Sequence, residues 1–74
     1  MFTMREVASV VRDLRDQAGW TQSDLAGRAR VSRSFVADVE AGKPTVEAAK
    51  LFDLFQAFGL EIALRSLTDG EVRW

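Results

Sequence analysis

The segment from Trp20 to Gly42 constrains the fold of this chain more than any other part. Its sequence, WTQSDLAGRARVSRSFVADVEAG, predicts two short helices joined by a tight turn. Thr21 and Ser32 each precede a helical pattern, and the side-chain oxygen of such a residue caps a helix by accepting a hydrogen bond from a free backbone N–H group. Gly42 suits the left-handed conformation that commonly ends a helix. Two helices this short bury little surface by themselves, so we expect the remaining chain to act as a scaffold that presents them to a partner.

Length and composition restrict the class of protein. The chain has 74 residues and neither cysteine nor histidine, which predicts one domain and excludes disulfides, zinc sites of the usual ligand types and thiol or imidazole catalysis. No apolar run approaches the roughly 20 residues that span a bilayer, and the first residues lack the apolar core of a signal peptide. We therefore expect a cytoplasmic protein that uses no metal or cofactor.

The distribution of charge is more informative than its sum. The net charge of −1 and the isoelectric point of about 5.3 are not those of a typical nucleic-acid binder. However, the stretch from Leu25 to Ala37 contains Arg28, Arg30 and Arg33 and no acidic residue. This stretch predicts a local positive patch on a nearly neutral protein.

A first helix is predicted over Thr3–Ala18, because Thr3 and Glu6 match the capping box. Apolar residues recur on one face of this helix at helical spacing. The two helices of the central segment add small and branched apolar residues to the same core. The predicted core members from these three helices are Val7, Val10, Val11, Leu14, Ala18, Leu25, Ala26, Ala29, Val36 and Val39.

A fourth helix is predicted over Val46–Phe58, with Thr45 as its cap, because Pro44 cannot continue the preceding helix. Its apolar residues cover more than one face: Ala48, Leu51, Phe52 and Phe55 form one stripe, which Leu54 and Phe58 widen. So broad an apolar surface on so short a chain predicts contact with a second subunit.

Residues Leu60–Arg65 alternate, with apolar residues at 60, 62 and 64 on one side and charged residues at 61 and 65 on the other, the pattern of a β-strand. A lone strand leaves its backbone groups unsatisfied, so it needs a partner. One possible partner is Glu71–Trp74, after a hairpin turn at Asp69-Gly70. The other is the same strand of a second copy, antiparallel about a two-fold axis. We expect the second, since four residues make a poor strand and the fourth helix also predicts a dimer.

Several motifs together resemble the Xre/lambda-repressor-like helix-turn-helix family. They are GWTQSDLA at Gly19–Ala26, VSRS at Val31–Ser34, VEAG at Val39–Gly42 and KPT at Lys43–Thr45. FGLEIALR at Phe58–Arg65 is more narrowly similar to HipB-type antitoxins. The resemblance implies an all-α fold of four helices with one C-terminal β-strand that pairs across a homodimer. Residues 1–59 would form the helix-turn-helix domain, 60–67 the dimerisation strand and 68–74 a flexible tail.

The resemblance implies a sequence-specific DNA-binding transcriptional repressor rather than an enzyme. Its partners would be a pseudo-palindromic operator in double-stranded DNA, a second copy of itself and a HipA-like kinase toxin, for which it would be the antitoxin. Two alternatives stay open: a stand-alone or phage-type repressor without a toxin, and a protein-binding neutraliser with little DNA binding. The acidic isoelectric point favours the neutraliser, whereas the acid-free arginine stretch opposes it.

The resemblance also assigns roles to residues, with Ser32–Glu40 as the recognition helix in the major groove. The expected contacts to base edges are Arg33, Ser34, Ala37 and Asp38, and the expected contacts to phosphates are Gln22, Arg28, Arg30, Ser32 and Lys43. The expected dimer interface comprises Phe55, Phe58, Leu60, Ile62 and Leu64. The alternatives are a solvated face for Arg28 and Arg30 and a phosphate contact only for Arg33.

Trp74 is the expected toxin contact, because HipB-like antitoxins can engage the kinase with a tail that ends in tryptophan. The alternative for Trp74 is packing against the strand of its own chain or of its partner. Arg15 and Glu40 match a pair that ties the first helix to the end of the recognition helix in relatives. The carboxylates of Asp13 and Asp16 lack a cleft and a partner base, so no catalytic role is expected.

Two residues depart from the family pattern. Arg30 stands in the turn where the family usually has glycine. If its backbone is left-handed, the arginine costs roughly 1–2 kcal/mol. Asp38 places an acid on the face that reads DNA. It would repel phosphate unless it accepts a hydrogen bond from a cytosine amino group or pairs with Arg33 or Lys43.

Overall fold

The computed structural model describes residues 3–65 and 72–73. Its four helices are α1 (Met4–Ala18), α2 (Gln22–Ala29), α3 (Arg33–Glu40) and α4 (Ala48–Gln56). Helix α3 packs against α1 and α2, and α2 also packs against α4. This arrangement confirms the predicted four-helix class. None of the helices in these ranges is both long and apolar enough to cross a bilayer.

The first three helices begin where their caps predict. The Thr3 hydroxyl accepts a hydrogen bond from the Glu6 N–H at 3.2 Å. Thr21 and Asp24 form a reciprocal capping box, with bonds of 3.0 and 2.9 Å between the side chain of each and the backbone N–H of the other. Ser32 Oγ accepts a bond from the Phe35 N–H at 3.0 Å. Each cap satisfies an N–H group that the helix itself leaves free.

The turn between α2 and α3 passes through a left-handed residue. Arg30 has φ 59° and ψ 41°, and its N–H group donates to the carbonyl oxygen of Ala26. The next N–H group, from Val31, donates to the same oxygen at 3.0 Å. The backbone therefore adopts the conformation that glycine usually supplies at this point.

The hydrophobic core joins all four helices. Its buried members are Val7, Val11, Leu25, Ala26, Ala29, Val36, Val39, Leu54 and Phe55. All five members predicted from α2 and α3 are buried, but Val10 is 36% exposed and Ala18 is exposed. Helix α1 packs mainly against α3, so it buries a narrower face than its apolar pattern predicts.

Helix α4 begins later than predicted. Its cap position is Glu47, which makes no side-chain capping bond, so Thr45 is not the cap. The chain remains extended there, and Val46 packs against the core instead of entering the helix. The buried face also differs from prediction, since Leu54 is fully buried whereas Phe52 is 47% exposed. Regular helix ends at Gln56, and the Leu60 N–H closes the end by donating to the Phe55 carbonyl oxygen at 3.1 Å.

Beyond α4, regular pairing covers less than the predicted strand. Residues 60–63 have no regular secondary structure. Strand β1 (Leu64–Arg65) pairs antiparallel with β2 (Val72–Arg73), with Leu64 opposite Arg73. This is the hairpin alternative, whereas the pairing with a second copy stays a prediction that a single chain does not test. The predicted turn at Asp69-Gly70 and Trp74 lie outside the described residues.

Candidate nucleic-acid interface

Helix α3 is anchored on one side and open on the other. Val36 and Val39 on its inner side are fully buried. On the outer side, Arg33 and Ser34 are exposed, and Ala37 and Asp38 are half-buried. Of the four residues expected to contact bases, Ala37 follows Arg33 by four positions and Asp38 follows Ser34 by four, the spacing of one helical face. We call this surface, formed by Arg33, Ser34, Ala37 and Asp38, the α3 outer face.

The acid on this face has a cationic neighbour. Lys43 Nζ lies 3.6 Å from Asp38 Oδ2, and both side chains are about half exposed. An exposed pair of this kind contributes less than about 1 kcal/mol to stability. It does reduce the negative charge that Asp38 presents, which is one of the arrangements that the sequence left open.

Glu40 connects α1, α2 and α3 at the carboxyl-terminal end of α3. Among the described residues it is the one buried charged side chain, at 5% exposure. Arg15 holds its carboxylate with two hydrogen bonds, Nε to Oε2 at 2.8 Å and Nη2 to Oε1 at 3.0 Å. The hydrogen bond to Glu40 is the main reason that the pKa of the Arg15 guanidinium lies above its ordinary value. The pair expected between α1 and α3 is therefore present.

Further hydrogen bonds extend this cluster to the backbone. Arg15 Nη1 donates to the carbonyl oxygen of Trp20 at 3.0 Å, just before α2. Arg12 Nη1 donates to the main-chain oxygen of Glu40. Because α1 thus holds both the end of α3 and the approach to α2, the two short helices are fixed in angle relative to the scaffold.

Gln22, the first residue of α2, contacts the same carboxylate. Its Nε2 atom lies 3.4 Å from Glu40 Oε1, a long hydrogen bond. Sequence reasoning assigned Gln22 to a phosphate and missed this contact. The two residues are 18 positions apart, so no local pattern indicates it.

Arg28 and Arg30 lie toward α4. The guanidinium carbon of Arg28 is 4.4 Å from the ring centroid of Trp20, which is cation–π geometry. Trp20 also stacks on Phe58, with ring centroids 5.2 Å apart and an interplanar angle of 17°. Both arginines line an open groove with Asp53 and Gln56 of α4, an alanine of α2 and the alanine that follows α4. The described lining of this groove includes no residue of the α3 outer face.

The residues expected in a dimer interface divide into two groups. Phe55 and Phe58 are engaged within the chain, since Phe55 is buried and Phe58 packs against the core and Trp20. Leu60 and Ile62 are 41% and 43% exposed. Phe52 is also exposed, and it lines a shallow groove with Gln56, Glu61 and Ile62. The side chain of Leu64, the fifth residue expected in the interface, lies outside the described part of the structure.

Comparison with known proteins places this architecture in a family. A family profile for the helix-turn-helix domain matches residues 6–67. The HTH-type transcriptional regulator y4mF of Sinorhizobium fredii is 37% identical over 71 residues, which cover 96% of this chain and 91% of that protein.

Solved structures share the fold. A HipB–O4 20mer complex contains a chain that superposes with a TM-score of 0.81 at 22% identity, over 92% of this chain and 96% of that one. A HipA–HipB–O2–O3 complex gives the same TM-score, identity and coverage. At this identity the likeness concerns the fold alone. The family profile and the curated relative show that the chain belongs to the Xre-like helix-turn-helix family of transcriptional regulators, and its fold is that of HipB.

Proposed function

We propose that this protein is a sequence-specific DNA-binding repressor that uses α3 as its recognition helix. The proposal rests on the α3 outer face, whose amino-terminal residues Arg33 and Ser34 are exposed. On the opposite side of the helix, Val36 and Val39 are buried in the core. A rigid helix with an exposed arginine at its amino-terminal end fits the major groove, where this motif inserts that end of the helix.

Arg33 is the proposed base reader with the largest effect. A guanidinium group donates two parallel hydrogen bonds to the O6 and N7 acceptors of guanine, and such a contact is worth about 1–3 kcal/mol of discrimination. Ser34 and Ala37 would lie against neighbouring base edges. Asp38 would accept from a cytosine amino group, with Lys43 beside it to offset its repulsion of phosphates.

Phosphate contacts are proposed on both sides of this helix. Gln22 and Ser32 stand at the amino-terminal ends of α2 and α3, where free N–H groups favour an anion. Lys43 follows α3, and Arg28 and Arg30 lie near the end of α2. In the free protein Arg28 is stacked on Trp20, so a phosphate contact from Arg28 requires it to leave the ring or to reach out from it.

The proposed assembly is a homodimer on a pseudo-palindromic operator. Exposed Leu60 and Ile62, with Phe52 beside Ile62, provide an apolar surface that supports it. Two copies related by a two-fold axis would place their recognition helices about 34–36 Å apart, or a multiple of that, along the DNA.

DNase I footprinting on the DNA upstream of the gene tests the proposed function. The expected result is a protected segment with two related half-sites. Arg33→Glu should abolish the protection, whereas Lys50→Glu should leave it intact. Lys50 is a fair control because it undergoes the same change of charge on α4, where it pairs with Glu47 at 3.2 Å. Protection lost equally in both variants, or absent in the parent protein, would contradict the proposal.

A second candidate function is that of an antitoxin for a HipA-like kinase. One similar structure is a HipA–HipB–O2–O3 complex, and Trp74 is of a residue type that is enriched in binding hot spots. Deletion of Thr68–Trp74 should spare operator binding and impair co-purification with a kinase encoded beside the gene. Co-purification of the truncated protein at the parent level would reject this role for the tail.

The two remaining alternatives differ in what they bind. A stand-alone repressor would have no protein partner for Trp74, and the same co-purification experiment tests this. A protein-binding neutraliser would bind DNA only weakly, as the net charge of −1 favours. The footprinting experiment separates this case from a repressor.

A further inference from the structure

We propose that Glu40 is a positioning residue for DNA binding. Its carboxylate, neutralised by Arg15, fixes the side-chain amide of Gln22 in one orientation before DNA arrives. The proposal rests on the proposed function, because it concerns the phosphate contact assigned to Gln22. It adds to that function an explanation of how the Gln22 amide is oriented for its phosphate contact.

The first step is the chemistry of the hydrogen bond between the two side chains. Gln22 Nε2 lies 3.4 Å from Glu40 Oε1. An ionised carboxylate only accepts hydrogen bonds, so the amide must turn its nitrogen and not its oxygen toward Glu40. One N–H group of this nitrogen is then used, and the second remains available as a donor to a phosphate oxygen. A neutral residue at position 40 would remove this restriction on the amide.

The second step concerns charge. A buried carboxylate beside a phosphate site would repel the DNA backbone if it were unpaired. Arg15 forms two hydrogen bonds with Glu40, at 2.8 and 3.0 Å, and neutralises it. Glu40 is 5% exposed and the Arg15 side chain 19%, so solvent screens this pair little. Glu40 therefore orients Gln22 without presenting net charge to the DNA.

The third step is the location of the cluster. Gln22 is the first residue of α2, and Glu40 is the last residue of α3. Arg15 also holds the Trp20 carbonyl oxygen at 3.0 Å. Glu40 thus holds the Gln22 amide, and Arg15, which is bonded to Glu40, holds the backbone just before α2. A side chain ordered before binding avoids the entropic cost of being ordered on binding, and the hydrogen bond to Glu40 supplies that order.

A double-mutant cycle tests the proposal with a fluorescently labelled operator fragment and the full-length protein. Gln22→Ala should weaken binding about tenfold, since it removes a hydrogen bond to a charged group. Glu40→Gln should weaken binding by less, and in the Gln22→Ala background it should change Kd less than about twofold. If the increases in Kd of the two single variants instead multiply in the double variant, the positioning role is overturned.

A second cycle provides the matched control. If Glu40→Gln acted by tilting α3, its effect would also depend on Arg33, whose contact is proposed at the other end of that helix. The positioning role predicts that the effects of Glu40→Gln and Arg33→Ala multiply independently. Coupling with Arg33 in place of Gln22 would assign Glu40 a purely structural role.

A measurement on the free parent protein covers the case in which Glu40→Gln does not fold. The side-chain amide of Gln22 is identified in a ¹⁵N–¹H NMR spectrum by its absence in Gln22→Ala. A fixed amide should show a displaced, exchange-protected pair of signals, and signals at free-glutamine positions would overturn the proposal. Failure of the parent protein to bind any operator overturns the proposed function and this proposal together, whereas binding with a free Gln22 amide overturns the positioning role alone.

Discussion

At the scale of single residues, Arg30 shows an unfavourable backbone conformation on an otherwise regular fold. It is the one non-glycine residue with positive φ in the described ranges. The left-handed region costs an L-residue with a side chain roughly 1–2 kcal/mol. No ion pair of Arg30 within those ranges offsets this cost. We infer that the side chain serves the interface with DNA, since strain of this kind concentrates at functional positions.

Replacing Arg30 by glycine should change stability and operator affinity in opposite directions. We expect Arg30→Gly to raise the free energy of unfolding by about 0.5–1 kcal/mol, because relief of the left-handed strain exceeds the added entropy of the unfolded chain. Operator affinity should fall, and the slope of its salt dependence should decrease by about one. Urea unfolding and DNA titration measure the two effects.

Arg30→Ala is the matched control for this prediction. It removes the guanidinium group but keeps a Cβ atom in the left-handed backbone. Its stability should therefore remain near that of the parent, while its DNA affinity should fall as in Arg30→Gly. An Arg30→Gly variant no more stable than Arg30→Ala would refute the strain argument.

Asp24 gives the protein a defined response to acid. The hydrogen bond from the Thr21 backbone N–H, followed by the contact with the Thr21 side chain, holds the pKa of the Asp24 carboxyl below its ordinary value. The unfolded state therefore takes up this proton more readily than the folded state. The stabilisation by Asp24 is fully present above the unfolded pKa, near 4, and is lost as the pH falls through the lower folded pKa.

Asp24→Asn should consequently be less stable than the parent at pH 7, and the difference should shrink as the pH falls below about 4. Urea unfolding across this range measures it. Thr21→Ser keeps both partners of the capping box and serves as the control. A difference between Asp24→Asn and the parent that does not change with pH would show that the lowered pKa is not the cause.

At the scale of elements, α3 is the proposed recognition helix, and other helices fix its position. Val36 and Val39 are fully buried, and the Arg15–Glu40 pair ties its end to α1. A substitution on the α3 outer face should therefore change recognition with little change in stability. Surface substitutions away from such packing usually stay within about 0.5 kcal/mol.

Arg33→Ala should weaken binding at one operator position. On a panel of single-base substitutions, the parent should discriminate at that position by about 1–3 kcal/mol, and the variant should not. Lys50→Ala on α4 should leave the whole panel unchanged. An equal loss on every sequence would show that Arg33 contacts a phosphate and not a base.

The segment after α4 carries the apolar surface for the proposed dimer. Ile62 is 43% exposed and stands beside the exposed ring of Phe52. Ile62→Lys should dissociate the dimer, because a lysine ammonium group in an apolar interface loses its hydration without a partner. Sedimentation measures the mass.

Val10→Lys is the control for Ile62→Lys. Val10 is also an exposed apolar residue, at 36%, but it lies on α1 outside the expected interface. The Val10 variant should keep the mass of the parent. An unchanged mass for Ile62→Lys would refute an interface built on this segment.

At the scale of the whole molecule, local signals predict the first three helices well. Thr3, Thr21 and Ser32 cap them as expected, because a cap depends on residues only three positions apart. Thr45 is an equally good cap by type but does not cap α4. Helix α4 begins later because Val46 packs against the core. A local sequence pattern does not indicate such a long-range contact.

For the candidate site too, the sequence predicts the local features and not the contacts between separate segments. The spacing of Arg33, Ser34, Ala37 and Asp38 within one helix predicts their common face. By contrast, the bond from Gln22 to Glu40 and the stacking of Arg28 on Trp20 depend on how separate segments meet. The family resemblance supplies the Arg15–Glu40 pair but does not indicate these two further contacts.

The proposed repressor is one small scaffold that holds a recognition helix for a specific DNA sequence. Titration of the purified protein against the DNA upstream of its own gene, at several salt concentrations, tests it most directly. With three phosphate-contacting cations in each of two protomers, affinity should fall by about 10³ between 50 and 200 mM salt and should far exceed that for unrelated DNA throughout. Binding no tighter than to unrelated DNA would contradict the account and make a protein partner the principal target.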